Sequence, residues 1–346
     1  MELLIHNYLN SFSTFFLILV IVAMLYILSK GADILVEEAV SLSLHLGVPK
    51  MIIGATIVSL GTTLPEATVS VLAAINGNPD LALGNAIGSI IADTGLILGL
   101  AALIGRLPVD RLVVERQGKI QVLSGFLLAV VCLPFLSGGT GNIRQWVGWL
   151  FLALLVAYIY ISIKWTKKST SSDSSVITKT EEMDNDDLVE EKSPVIIQLL
   201  KLFIGIVLVI GSSKILIPAV EISAIRVGIP QSIIAATLIA FGTSLPELVT
   251  AITAVRKGHG ELAIGNIVGA DILNVLFVVG SAAAVTSGGL DVPVNFYKLQ
   301  IPTMLIILLF FRFFSSGKNE EEISKKEGSI LFAIYCVYVI LNFTWH

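Results

Sequence analysis

The chain has 346 residues, 55% of them hydrophobic and 14% charged, with a formal net charge of −4. A mean hydropathy of +0.89 excludes a soluble globule, which would leave far too much apolar surface in water. An all-α integral membrane protein is expected, with the lipid bilayer as its surroundings and no nucleic acid or obligate protein partner in view.

Apolar runs near the roughly 20 residues that cross a bilayer recur along the chain. They predict ten transmembrane helices, at roughly 12–44, 50–75, 81–104, 119–137, 146–164, 195–227, 230–255, 261–286, 297–314 and 328–345. The first and sixth are long enough to require strong tilt. Met1 to Asn10 holds no Lys or Arg, and no small-residue cleavage site follows the first run, so that run is expected to be a retained helix. Cys132 and Cys336 both fall inside predicted spans, as packing residues and not a disulfide framework.

The second span reads "GATIVSLGTTLPEATVSV" and contains a helix breaker beside a carboxylate. Pro65 has no N–H to donate to the carbonyl of Gly61, four residues back, so the helix opens there. Broken backbone is tolerated in a membrane only where it faces protein or a polar cavity. Thr62 and Glu66 are four apart and share a helix face beside the loosened carbonyls. The third span carries "GNAIGS" and then Asp93; Gly84 and Gly88 suit close helix packing, and Asn85 is either a helix-end cap or a partner of a neighbouring carbonyl.

Between the fifth and sixth spans, residues 166–194 are polar and include seven acids between Glu181 and Glu191. This reads as a solvated linker, with weak calcium binding as the alternative, and it is too short for a folded regulatory domain. From Gly228 the chain repeats itself. "GVPKMIIGATIVSLGTTLPE" matches "GIPQSIIAATLIAFGTSLPE", and the register holds at an offset of 181 through "GNAIG" and "GNIVG", with about twenty of 54 aligned positions identical. The domains are therefore a first five-helix repeat at 1–165, a cytoplasmic linker at 166–194 and a second five-helix repeat at 195–346. An odd number of spans per copy makes the repeats inverted, an architecture that places ion or substrate sites at mid-membrane. Numbering the loops alternately gathers most Lys and Arg into one set, including Arg106, Arg111, Arg116, Lys119, Arg256 and Lys257. The other set holds only Arg144, Arg226 and Lys298, so the first set is cytoplasmic and both termini lie outside a cell membrane.

The duplicated elements bring Glu66 and Glu247, Thr62 and Thr243, and Thr63 and Ser244 toward one cage of hard oxygen ligands. Such a cage suits calcium, magnesium or sodium, whereas zinc or copper recruits His or Cys. Glu66, Asp93, Glu247 and Asp271 each cost about 2.5–3.5 kcal/mol to insert, roughly 10 kcal/mol together, which a divalent cation would offset. Asp271 falls opposite Ile90 in the repeat, so its orientation is open.

"GTTLPE", "GTSLPE", "GNAIGS" and "GNIVGADILN" in two inverted halves resemble the alpha repeats of the cation/calcium exchanger superfamily, in its sodium/calcium exchanger branch of prokaryotic type. The resemblance spans essentially the whole chain. It implies alternating-access antiport of calcium against sodium, with Glu66 and Glu247 as the main calcium ligands, helped by the carbonyls of Thr62 and Thr243. It implies sodium positions lined by Thr63, Ser244, Ser89 and the carbonyls of Ser59 and Ala240, with Asp93 and Asn274 equatorial. The first and sixth helices would slide as the gating pair. Ala270 lacks the hydroxyl of its repeat partner Ser89, and Asn274 stands where potassium-dependent relatives tend to carry aspartate, which points away from potassium coupling. The alternative is an antiporter of calcium, or another divalent cation, against protons, whose relatives carry adjacent acids after a Gly-Asn pair, absent here. A channel fits inverted repeats less well, and an enzyme is not expected: the four histidines lack metal-binding spacing and no nucleophile–base motif occurs. No cofactor is expected; calcium and sodium are cargo.

Overall fold

The computed structural model describes residues 2–134, 141–172, 194–228, 242–316 and 322–344. A short helix α1 (Glu2–Asn10), not anticipated from the apolar runs, precedes α2 (Thr14–Leu46), whose first turn is capped by the Ser13 side chain accepting from the Phe16 N–H. The second span is two helices, α3 (Lys50–Thr62) and α4 (Leu64–Ile75), bent by 44° at the break before Pro65. Then come α5 (Pro79–Ile104), strand β1 (Leu107–Pro108), α6 (Arg111–Cys132), β2 (Asn142–Ile143) and α7 (Gln145–Ser172). The second half holds α8 (Val195–Arg226), α9 (Leu245–Arg256), α10 (Gly260–Val285), β3 (Leu290–Asp291), α11 (Phe296–Ser315), β4 (Glu322–Ile323) and α12 (Lys325–Thr344).

Six of these helices, α2, α5, α7, α8, α10 and α11, are long and apolar enough to cross a membrane, and the bent pair α3–α4 makes a seventh span. The fourth predicted span begins at Arg111 instead of 119, so Arg116 and Lys119 ride on the first turns of α6 and not in a loop. Helix α7 runs to Ser172, into the segment read as linker, and residues 173–193 lie outside the described residues, as does the first part of the seventh span, 229–241. Phe15, Leu19, Val22 and Tyr26 on α2, and Ile196, Leu200, Phe203 and Val207 on α8, form exposed apolar stripes at helical spacing. In lipid such stripes are the solvated face.

Among the described elements, several contacts map onto each other when the halves are exchanged. Helix α5 packs on α12 as α10 packs on α7; α6 meets α11, and α2 meets α8. The tiny sheets obey the same exchange: β1 pairs antiparallel with β4, and β2 with β3. Gly77 and Gly258, equivalent in the repeat, both adopt positive φ (72° and 79°) in the turns after α4 and α9, where a side chain would be strained. At the centre lies α10, where every residue from Gly260 to Leu273 except Glu261 is buried. Its Gly265 comes so close to α3 that a Cβ there would stand 2.1 Å from the Met51 carbonyl oxygen. This close approach presses α10 onto the broken span, as the glycine spacing leads one to expect.

Candidate ion-binding site

The site is built on two helix N-termini. Glu66 lies in the first turn of α4 and Glu247 in the first turn of α9, each next to the proline that opens the chain, where unpaired N–H groups and the helix dipole favour a carboxylate. Both side chains are 1% exposed.

Around them the structure gathers oxygens from both halves. The Thr62 and Thr63 hydroxyls face Glu247, and the Ser244 hydroxyl faces Asp93, so each half serves the acids of the other. Glu66 neighbours Asp93 and Glu247, and Asp93 neighbours Glu247 and Asp271. Ser244 Oγ donates to Ser89 Oγ at 3.3 Å. Asp93 and Asn274 both stand at the start of a π-helical turn, Ala92–Ile97 in α5 and Asn274–Val279 in α10, an irregularity that recurs at functional sites. A third such turn, Gly54–Val58, lies in α3 just ahead of Ser59, and the Tyr158 hydroxyl of α7 donates to its Ala55 carbonyl at 3.1 Å.

Two expected ligands are placed differently from the rest. The Ser59 carbonyl accepts the Thr63 N–H at 2.9 Å and the Thr62 hydroxyl at 3.4 Å, which engages both of its lone pairs in this conformation. Asp271 does turn inward, but its Oδ2 accepts the Thr94 hydroxyl at 2.5 Å and the Gln121 amide at 2.6 Å, so it is held by α5 and α6 beside Asp93. Ala240 lies outside the described residues.

The charges do not balance. Among the described residues the buried charged side chains are Glu66, Asp93, Glu247 and Asp271, all acidic. Both carboxylate oxygens of Glu66, Glu247 Oε2, Asp93 Oδ1, Asn274 Oδ1 and Thr63 Oγ1 are buried and meet no hydrogen-bond partner among the described residues. Unpaired buried charge is among the most unfavourable features a fold can carry. The same oxygens fit a hard cation. No three His, Cys, Asp or Glu side chains among the described residues form a metal-holding group, so such a cation would lean on a pair of glutamates and neutral oxygens.

Sequence reasoning missed Thr94, Gln121 and Tyr158. The signal was available: Gln117, Gln121 and Ser124 interrupt an apolar helix at one-turn spacing, and all three are buried. The sequence leaves Asn85 between a helix-end cap and a partner of a neighbouring carbonyl. In the structure Asn85 Nδ2 donates to the Glu66 carbonyl at 3.1 Å and to Ser70 Oγ at 3.0 Å.

Apolar helices arranged around a buried acidic oxygen cluster define a multi-pass membrane ion transporter. More particularly, the chain belongs to the sodium/calcium exchanger family, whose model matches residues 16–164 and 197–344. It is 34% identical over 293 residues to the inner membrane protein YrbG of Escherichia coli, covering 85% of this chain and 86% of that one. It is 31% identical over 323 residues to the putative antiporter CaxA of Alkalimonas amylolytica, covering 92% and 96%. To the sodium/calcium exchanger MaX1 of Methanosarcina acetivorans it is 27% identical over 351 residues, covering 94% and 98%. The fold is that of the sodium-calcium exchanger NCX_Mj, with a TM-score of 0.77 over 95% of this chain and 99% of that one at 24% identity.

Proposed function

We propose that the chain exchanges calcium for sodium by alternating access at the Glu66–Glu247 cluster. The observation that carries this reading is the set of four buried acids with no buried basic side chain among the described residues. A calcium ion between Glu66 and Glu247 neutralises two of those charges, with the carbonyls of Thr62 and Thr243 completing its coordination. Sodium ions would replace it at positions lined by Thr63, Ser244, Ser89 and the carbonyls of Ser59 and Ala240, with Asp93 and Asn274 equatorial. Asp271 stays one step removed, on Thr94 and Gln121. The names of the exchangers MaX1 and NCX_Mj support the sodium and calcium assignment.

The architecture proposed is ten transmembrane helices in two inverted five-helix repeats, 1–165 and 195–346, joined by a linker at 166–194. Contacts that map onto each other when the halves are exchanged support it. The orientation proposed has both termini outside a cell membrane. In support, Arg226 donates to the carbonyls of Asn10 and Phe12 at one end, while Arg106 and Glu322 approach within 3.9 Å among loops of the cation-rich set.

Flux from reconstituted vesicles decides the coupling. Calcium uptake should appear with an outward sodium gradient and be absent with a proton gradient alone. Uptake driven by protons and indifferent to sodium would instead make the protein a cation/proton antiporter, and uptake with no counter-gradient a channel.

A further inference from the structure

We infer that Asn85 and Asn266 are positioning residues that lock the two broken helices of the calcium site to each other across the repeats; this rests on the reading of Glu66 and Glu247 as the calcium ligands. The observation is a reciprocal pair of hydrogen bonds. Thr243 Oγ1 donates to Asn85 Oδ1 at 3.1 Å, and Thr62 Oγ1 donates to Asn266 Oδ1 at 3.4 Å. Thr62 and Thr243 are equivalent in the repeat, as are Asn85 and Asn266. Each bond therefore ties the breakpoint of one half to the packing helix of the other.

The consequence for the site is a division of labour within Thr243. A hydroxyl has one proton to give; the Thr62 hydroxyl lies 3.4 Å from both Asn266 Oδ1 and the Ser59 carbonyl, whereas the Thr243 proton goes to Asn85. That fixes the side chain and leaves the backbone carbonyl as the oxygen offered to a cation. Asn85 also holds the Glu66 carbonyl, so one amide group links the breakpoint of α4, which carries one glutamate, to the residue four places before the other glutamate. A cation bridging Glu66 and Glu247 needs their separation fixed, and this link spans it.

The two braces are unequal. Asn85 is anchored by Ser70, which itself donates to the Ala82 carbonyl at 3.0 Å. The repeat partner of Ser70 is Ala251, which has no hydroxyl, and Asn266 Nδ2 has no hydrogen-bond partner among the described residues. The Asn85–Thr243 bond should accordingly carry more of the positioning than Asn266–Thr62.

A double-mutant cycle on the full-length protein tests this, read as the calcium Kd in detergent and the KM of uptake in vesicles. Thr243→Val keeps the carbonyl and removes only the hydroxyl; it and Asn85→Leu should each weaken calcium binding about five- to tenfold, the range expected of one hydrogen bond. If the bond between them is the cause, Thr243→Val changes little more in the Asn85→Leu background, because the interaction is already gone. If the hydroxyl itself ligates calcium, Thr243→Val weakens binding by the same factor in both backgrounds, and the brace is overturned. A Thr243→Val variant that binds like wild type overturns it too. Should Asn85→Leu fail to fold, Asn85→Ala, which also removes the acceptor of the Thr243 hydroxyl, replaces it in the cycle with the same two outcomes. Thr62→Val should cost less than Thr243→Val, and the reverse order overturns the asymmetry. Glu66→Gln is the control: if it binds calcium normally the functional reading itself fails, whereas a dead Glu66→Gln beside independent effects in the cycle overturns the brace alone.

Discussion

Glu66 and Glu247 are the residues on which the reading turns, and they differ from Asp93 and Asp271 in their neighbours. Neither Glu66 oxygen meets a hydrogen-bond donor among the described residues, whereas Asp271 is held by Thr94 and Gln121. Glu66→Gln keeps the shape and one acceptor but removes a charge and the bidentate grip, so calcium uptake should fall to background while the protein still inserts. Wild-type uptake in a folded Glu66→Gln protein would refute the site. Asp93→Asn is expected to be milder. Asparagine still offers an oxygen to Ser244, the repeat partner at 274 is already Asn, and the two glutamates supply the charge that matches calcium. Transport should be reduced but measurable, and moving the acid across, as Asp93→Asn with Asn274→Asp, should recover more than the single change. An Asp93→Asn protein as inactive as Glu66→Gln would make Asp93 a primary charged ligand. The acids themselves were conspicuous in the sequence because each is a carboxylate inside an apolar run, and Glu66 and Glu247 recur at the repeat offset. The threonine–asparagine bonds were not, because nothing along one helix reveals which residue of the other half it will face.

At the scale of elements, the prolines at 65 and 246 announced the breaks, and the structure places a helix start at each. The π turns at Gly54–Val58, Ala92–Ile97 and Asn274–Val279 went unread, since inserting one residue into a helix leaves an all-apolar segment looking unchanged. The closeness of α3 and α10 is testable at Gly265. Gly265→Ala forces a Cβ against the Met51 backbone, which side-chain motion cannot relieve, so thermal stability in detergent should drop by the equivalent of about 1–3 kcal/mol. A stable, active Gly265→Ala variant would mean the helices part easily. On the cation-rich side Lys257, just beyond α9, reaches α2, with Glu37 Oε1 at 2.6 Å and Asp33 Oδ1 at 3.2 Å. The Glu37 hydrogen bond first, and Asp33 after it, hold the Lys257 ammonium above its usual range. A raised lysine contributes fully below its unfolded value of about 10.4 and fades as pH climbs through the higher folded value. Lys257→Gln should therefore cost the same small amount of stability at every pH from about 6 to 9, less in high salt. A cost that vanished at the lower end of that range would contradict the pairing.

The multi-pass helical membrane class was readable in outline from the apolar runs, and the duplication is a property of the sequence that survives any error in span boundaries. What the outline lacked was the way the halves interlock: the sheets β1–β4 and β2–β3 are two residues per strand and carry no alternating pattern, and α6, with Arg116 and Lys119 in its first turns, is too polar to announce its full length. Interlocked halves with one shared acidic centre have an electrical consequence. On the proposed function, calcium and sodium share the Glu66–Glu247 cluster, and the two charges of a departing calcium ion would be replaced by sodium ions at the surrounding hydroxyl and carbonyl oxygens. Thr63, Ser244 and Ser89 bring hydroxyls from both halves in addition to the carbonyls at the breaks, and we propose that these oxygens hold more than two sodium ions for each calcium. An exchange that moves more sodium charge than calcium charge is driven by the membrane potential at about 2.3 kcal/mol per elementary charge per 100 mV. Calcium uptake into sodium-loaded vesicles should accordingly accelerate when a potassium diffusion potential makes the interior positive, because the sodium leaving then carries net charge out, and slow when the interior is made negative. Equal rates at both potentials would mean an electroneutral cycle, with two sodium ions or two protons for each calcium, and the surplus oxygen positions would then need another role.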